Sequence, residues 1–310
     1  MTLSPRAYRW LAIAALVSLG IIVVTGGAVR LTGSGLGCSD WPNCEPGRLA
    51  PHDASDANAM IEYLNRLFTG VVSVAVALAV LGSLVRRPKR RDLTWLSLGL
   101  VAGVVGQIVL GGLTVIFELR PEFVIGHFLL SMILIANATV LVWRAREPDA
   151  PTAVWRASSR TRVLSRWVVV AAAAVVIAGT VVTGAGPHGG DENVQRLSIA
   201  VETATRIHGI TAMVFIAVTA VLALRAHRQG ERPVVQSVTW LLAVAVAQAG
   251  VGYVQYFTGV PVLLVGIHIL GATLVWIAAI WVLMSTTART IDLREREAPS
   301  RASGAVSRAQ

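Results

Sequence analysis

Eight stretches of the chain stay apolar for about 20 residues or more, the length a helix needs to cross the hydrocarbon core of a bilayer. They fall at 10–29, 66–85, 93–116, 122–143, 166–185, 204–224, 234–257 and 260–284. Polar residues gather in the segments between them. This alternation of long apolar runs and short polar breaks predicts an all-α integral membrane protein with eight transmembrane helices. The first run follows Arg6 and Arg9, as a signal peptide's would. Its apolar part is longer than a signal h-region and no clear small-x-small cleavage site follows, so it is read as a retained helix.

Composition agrees with that pattern. Of 310 residues, 55% are hydrophobic and only 14% charged, which excludes an ordinary soluble domain. The formal charge of +10 does not point to a nucleic-acid partner, because the basic residues follow topology. Arg6 and Arg9, the cluster from Arg86 to Arg91, Arg144 to Arg166, Arg225 to Arg232, and Arg289 onward all fall on one side if the helices alternate in direction. By the positive-inside rule that side is cytoplasmic and carries both termini. Membrane lipid is the surrounding partner.

Internal similarity then divides the chain. "IEYLNRLFTG" aligns with "VETATRIHGI", pairing Glu62 with Glu202 and Arg66 with Arg206. At nearly the same offset "VVGQIVLGGLTV" aligns with "AVAQAGVGYVQY", pairing Gln107 with Gln248 and Gly111 with Gly252, and His127 pairs with His268. A repeat of four helices is even, so both copies share one orientation and form two pseudo-symmetric four-helix bundles about an axis along the membrane normal. The expected layout is an N-terminal bundle over 1–144 with an outer loop at 30–61, and a cytoplasmic linker over 145–165. A C-terminal bundle over 166–285 and a disordered cytoplasmic tail over 286–310 complete it.

Chemistry concentrates near the outer ends of the even-numbered helices. His127, His208 and His268 each lie a few residues inside such a helix, at matched depth. One histidine there can be a core residue satisfied by a neighbouring helix, but an ionisable group at membrane depth is a functional candidate. Imidazoles on facing helices of a bundle suit the axial positions of a haem iron, and His208 and His268 are the economical pair. Zinc lacks further ligands at this depth, and a proton relay stays open as an alternative. Arg66 and Arg206 are candidate propionate contacts, since a guanidinium clamps a carboxylate bidentately. Their alternative is snorkelling or pairing with Glu62 or Glu202. Gln107 and Gln248 read as helix-to-helix hydrogen bonds, and the glycines at 26–27, 111–112 and 184 as sites of close approach. His52, His188 and His227 read as solvated loop residues. Both cysteines, Cys38 and Cys44, lie in one outer loop. Exoplasmic placement favours a disulfide, with a metal pair or redox-active thiols as alternatives.

"LTGSGLGCSDWPNC", "IEYLNR", "GGLTV", "GHFLLS" and "RIHG…GIHILGA" together resemble the haem A synthase family over essentially residues 8–285. That resemblance implies a cell-membrane oxidoreductase with sites toward the outer face. It would convert haem O to haem A, oxidising a ring methyl to a formyl group for the terminal cytochrome c oxidase. It implies haem b held by His208 and His268 in the second half. In the first half, substrate haem O would have its iron on His127, with Glu62 as catalytic acid and Asn65 and Arg66 nearby. It also matches Cys38 and Cys44 to the family's cysteine pair. Partnership with haem O synthase and with an electron acceptor is a further expectation.

The chain departs from the family pattern at one position. Three residues after the acid, where a second first-half histidine is common, stands Asn65, and the repeat partner of His208 is Phe68. A first-half haem would therefore have one histidine ligand. Two other readings compete: a bis-histidine cytochrome b that only carries electrons, and a repeat-built transporter, whose helices should break near the midplane.

Overall fold

The computed structural model describes residues 2–149 and 152–290. Its helices are α1 (Pro5–Leu31), α2 (Ala57–Val85), α3 (Arg91–Ile116), α4 (Pro121–Arg146), α5 (Ser159–Ala185), α6 (Val201–Arg228), α7 (Arg232–Phe257) and α8 (Val262–Ser285). All eight are long and apolar enough to span a membrane. Each coincides with one expected run; the largest differences lie at the starts of α1, α2 and α5, and α4 and α6 also end three and four residues later than expected. α2 begins at Ala57 because Asp56 caps it, accepting from Ala59 N–H at 3.0 Å. α5 begins at Ser159 because Ser158 caps it, accepting from Thr161 N–H at 3.4 Å. Such caps satisfy amides that a helix start leaves unpaired, so these two helices extend past their apolar runs to a capping side chain, whereas α3, α4, α6, α7 and α8 start without one.

In the first bundle α1 packs on α2 and α4, and α3 closes the ring between them; α5 to α8 repeat this arrangement. The buried seams follow coiled-coil spacing, as in Val234, Val238, Leu241 and Ala245 on α7. Buried and lipid-facing side chains are equally apolar: Val74, Leu81, Met213 and Leu263 are exposed while Val72, Leu93, Leu222 and Leu241 are buried. Lipid is as apolar as leucine, so close packing and interhelical hydrogen bonds, rather than expulsion of water, hold the helices together. Small residues permit this: Ala12 and Ala15 line the α1 seam, and a Cβ at Gly82 would meet Leu11 at 2.7 Å.

The bundles join where α1 and α4 lie against α8, with a lesser contact between α4 and α5. Trp276 Nε1 on α8 donates to the Met132 carbonyl on α4 at 2.8 Å, and a Cβ at Gly27 would meet Ile269 at 2.7 Å. Arg30, at the end of α1, donates to the Thr183 carbonyl at the end of α5 at 2.9 Å. The odd-numbered helices therefore start at one shared end, here called the arginine-rich end, and the cysteine loop lies at the other. Trp10, Trp95, Trp167 and Trp240, near the starts of α1, α3, α5 and α7, are all exposed, as expected of an interfacial aromatic belt.

Two short strands fall where the sequence suggested only linker and tail. β1 (Thr152–Trp155) pairs antiparallel with β2 (Thr287–Thr290), with Trp155 opposite Thr287. The ribbon ties the inter-bundle segment to the exit of α8, and the linker also gives seven residues to α5. The first residues of the expected disordered tail are thus strand; the remainder, 291–310, lies outside the described residues.

Candidate functional site

The segment between α1 and α2 folds back onto the start of α2. Cys38 and Cys44 are joined in a disulfide and both are buried. Gly37 lies so close to α2 that a Cβ there would strike the Asn58 and Ala59 backbone. Glu62, 5% exposed, accepts from Cys38 N–H at Oε2 (2.8 Å). Its Oε1 accepts from Arg66 Nε (3.0 Å) and Nη2 (2.6 Å), one helical turn on. The rest of the Arg66 fork serves the loop: Nη1 donates to the Asp40 (2.9 Å) and Asn43 (2.7 Å) carbonyls, and Nη2 to that of Cys38 (3.2 Å). A guanidinium has five N–H groups, and all five have protein partners. Arg66 is thus a clamp between Glu62 and the disulfide loop, with no donor left over for a propionate.

The loop also reaches α3. Trp41, within the disulfide ring, packs on Gly112, where a Cβ would stand 2.8 Å from the indole. The adjacent Gly111 faces His127, with its notional Cβ 3.4 Å from Cε1. Gln107 Nε2 donates to the His127 carbonyl (3.1 Å) and to Ser131 Oγ (2.8 Å), while His127 Nδ1 is buried without a protein partner. Asn65 is oriented by Thr25, whose hydroxyl donates to Oδ1 at 2.8 Å; its amide nitrogen faces Gly26. Glu62 and His127 sit on α2 and α4, diagonal helices of the ring, and no hydrogen bond joins them.

The second bundle repeats half of this design. Gln248 Nε2 donates to the His268 carbonyl at 2.8 Å, and a Cβ at Gly252 would lie 3.1 Å from His268 Cε1. In each half a glycine and a glutamine of the third helix therefore seat a histidine of the fourth. What differs is the partner across the bundle. His208, on α6, faces His268 with ring centroids 6.2 Å apart. The Val175 carbonyl bonds His208 Nδ1 at 3.2 Å, which leaves Nε2 to act as ligand, and Gly179 makes room for the ring. A backbone carbonyl on the far nitrogen is the usual way to fix a ligating imidazole. The His268 Nδ1 is buried with no protein partner. Two imidazoles sharing one metal need about 2 Å per metal–nitrogen bond plus about 1 Å to each ring centre, close to the observed separation. The pair therefore fits a haem iron.

The remaining expectations separate. Glu202 and Arg206, repeat partners of Glu62 and Arg66, are exposed, and neither has a hydrogen bond or ion pair among the described residues. Gln107 and Gln248 do bond neighbouring helices, and Gly27, Gly111, Gly112 and Gly184 are close approaches, as read from sequence; Gly26 is not, its nearest neighbour lying 4.0 Å from a notional Cβ. His188 is not a free loop residue: its Nε2 contacts the Val260 carbonyl at 3.0 Å. Thr25, Trp41, Val175 and Gly179 escaped the sequence reading. Thr25 repeats as Thr183 and Trp41 lies within the "LTGSGLGCSDWPNC" stretch, yet neither carries a charge that marks it as part of a site; the others act through a backbone carbonyl and a missing side chain.

Residues 8–280 match the family model COX15-CtaA, described as cytochrome oxidase assembly protein. Shorter stretches align with proteins named heme A synthase. That of Lysinibacillus sphaericus (strain C3-41) is 30% identical over 146 residues, covering 46% of this chain and 47% of the relative. That of Bacillus pumilus (strain SAFR-032) is 34% identical over 137 residues, 44% of each. A third, from Exiguobacterium sibiricum, is 33% identical over 122 residues, 39% of this chain and 40% of the relative. The aligned stretches span just under half the length of these relatives, whereas the family match runs through both bundles. The chain belongs to the COX15-CtaA family of cytochrome oxidase assembly proteins.

Proposed function

We propose that the protein is a haem A synthase, a membrane oxidoreductase that takes the ring methyl of haem O to the formyl of haem A by successive hydroxylation. The observation that carries this reading is the asymmetry of the two halves. One presents facing imidazoles, His208 and His268, 6.2 Å apart. The other presents a single seated imidazole, His127, and a buried carboxylate, Glu62. In this reading residues 1–144 hold the substrate haem and 166–285 the resident haem b. Haem b, held by His208 and His268, would supply an electron relay away from the reacting half.

The chain's own residues have distinct tasks. His127 binds the substrate iron, and its buried, unpartnered Nδ1 is available for a ligand or water. Glu62 takes a proton at the reacting methyl or balances positive charge developing there. To do so it must exchange one of its hydrogen bonds from Cys38 or Arg66. Asn65, pinned by Thr25, keeps its amide nitrogen beside Gly26 of α1, a donor able to orient a water. By the positive-inside rule the arginine-rich end, with both termini, lies in the cytoplasm of a plasma-membrane protein and the haem sites lie toward the outer face. Haem O synthase and an electron acceptor are the partners this reading calls for.

A specific observation favours a second reading. Both Glu62 oxygens are engaged in the loop clamp, so the acid can be wholly structural and the protein a bis-histidine cytochrome b. The transporter reading has less support, because all eight helices run unbroken. Expression with a haem O source and extraction of the haems separates these. Haem A formed by the wild type and lost in Glu62→Ala, with the b-type spectrum kept, is expected. A folded, haem O-supplied protein that shows a b-type spectrum and yields no haem A refutes the synthase.

A further inference from the structure

At the arginine-rich end the two bundles treat their arginines differently. In the first, Arg86 and Arg90 are buried and neutralised: Arg86 pairs with Asp149 at 2.6 Å, and Arg90 with Asp92 at 2.7 Å. In the second, the start of α5 and the end of α6 border an open groove of about 370 Å³ lined by Ser159, Arg160, Val163, Leu164 and Arg225. Neither Arg160 nor Arg225 has an ion pair among the described residues, and Arg225 Nε is buried without a hydrogen-bond partner. Glu231, the acid just before α7, accepts from Ser158 N–H at Oε1 (2.7 Å), while its Oε2 is buried without a hydrogen-bond partner and forms no ion pair with either arginine among the described residues. Two unneutralised guanidiniums in one groove call for an anion.

The walls of the groove indicate what kind. Val163, Trp167 and Val170 recur at helical spacing along α5 and are all exposed, and Val221 lies exposed one turn from Arg225 on α6. The cationic pocket thus continues into an apolar track running toward the middle of the span. A small soluble anion matches only the first part; an amphiphile matches both. Trp167 also belongs to the interfacial belt, which puts Arg160 and Arg225 at headgroup depth.

We propose that the groove between α5 and α6 binds an anionic phospholipid, with Arg160 and Arg225 on its phosphate and the Val163–Trp167–Val170 face along an acyl chain. The site is separate from the histidines and does not depend on the haem reading.

The test is native mass spectrometry of the detergent-purified full chain in mixed micelles of phosphatidylglycerol and phosphatidylcholine. The wild type is expected to retain phosphatidylglycerol in preference to phosphatidylcholine. Arg160→Gln/Arg225→Gln should bind it about 30-fold more weakly, with about fivefold for Arg160→Gln alone. Arg225→Lys should keep most of the affinity, since phosphate also accepts a point charge. Arg228→Gln, outside the groove lining, should match the wild type. Equal retention of the two lipids by the wild type overturns the proposal, as does undiminished phosphatidylglycerol binding in a folded double variant. If the double variant does not fold, undiminished binding in Arg160→Gln, whose side chain is exposed, overturns it instead. Displacement of the lipid by excess inorganic phosphate would assign the pocket to a small anion and likewise overturn it.

Discussion

Replacing Arg66 by alanine removes five hydrogen bonds at once: two to Glu62 Oε1 and one each to the Asp40, Asn43 and Cys38 carbonyls. The Asp40 and Asn43 carbonyls are only half-buried and can turn to water, so their loss is modest, whereas the Cys38 carbonyl is buried and adds to the cost. Glu62 cannot turn to water, being 5% exposed and left with only the backbone N–H groups of Cys38 and Gly37. Truncating one member of a buried ion pair costs about 3–5 kcal/mol, because the surviving charge stays desolvated. Arg66 is itself 23% exposed, so the lower end, about 3 kcal/mol, applies. That cost falls on docking of the disulfide loop rather than on the bundle, whose seams lie deeper. Local opening of the loop should become about a hundredfold more frequent. Hydrogen–deuterium exchange read by mass spectrometry over residues 37–48 measures it, through amides such as those of Cys38 and Cys44. Arg66→Lys keeps the charge but not the fork and should fall between the two. Exchange in Arg66→Ala within twofold of wild type would show that the clamp contributes nothing and would refute this account of Glu62.

Three further expectations concern the second bundle, its repeat relation to the first, and the loop. Gly252→Val places a branched side chain where even a Cβ lies 3.1 Å from His268 Cε1, so the purified protein should lose most bound haem absorbance while staying helical; full retention would contradict the seating of that ring. Arg206→Ala should change thermal stability by no more than about 0.5 kcal/mol, in contrast to its repeat partner Arg66, since Arg206 is exposed and unpaired; a loss of several kcal/mol would reveal an unrecognised partner. Cys38→Ser opens a ring of only a few residues and should cost about 2 kcal/mol. Thiol labelling of the oxidised wild type should find neither cysteine free.

Much of the fold was legible because a bilayer leaves a chain few choices. Every backbone polar group must be satisfied within its own segment, so about 20 apolar residues mean a helix, and the count of runs is the count of helices. The repeat was legible through the few polar residues that survive inside apolar runs. The histidine seats were half legible. Gln107, Gly111 and His127 pair with Gln248, Gly252 and His268 along the chain, yet only packing shows glutamine amides holding histidine carbonyls and glycines admitting the rings. Sequence left the glutamate–arginine pairs ambiguous. Glu62 and Arg66 look identical to Glu202 and Arg206 in type and spacing, but one pair is buried under the cysteine loop and the other faces outward.

By itself, then, the sequence determined eight spanning helices, their internal repeat and the histidines placed within them, because hydropathy and repeat spacing are local properties of the chain. Tertiary structure alone decided that Arg66 clamps a loop while Arg206 stands free, that His208 and His268 face each other at 6.2 Å, and that β1 and β2 tie the segment between the bundles to the exit of α8. Each of these depends on which surface another segment happens to cover. Burial, unlike hydropathy, is set by partners distant along the chain.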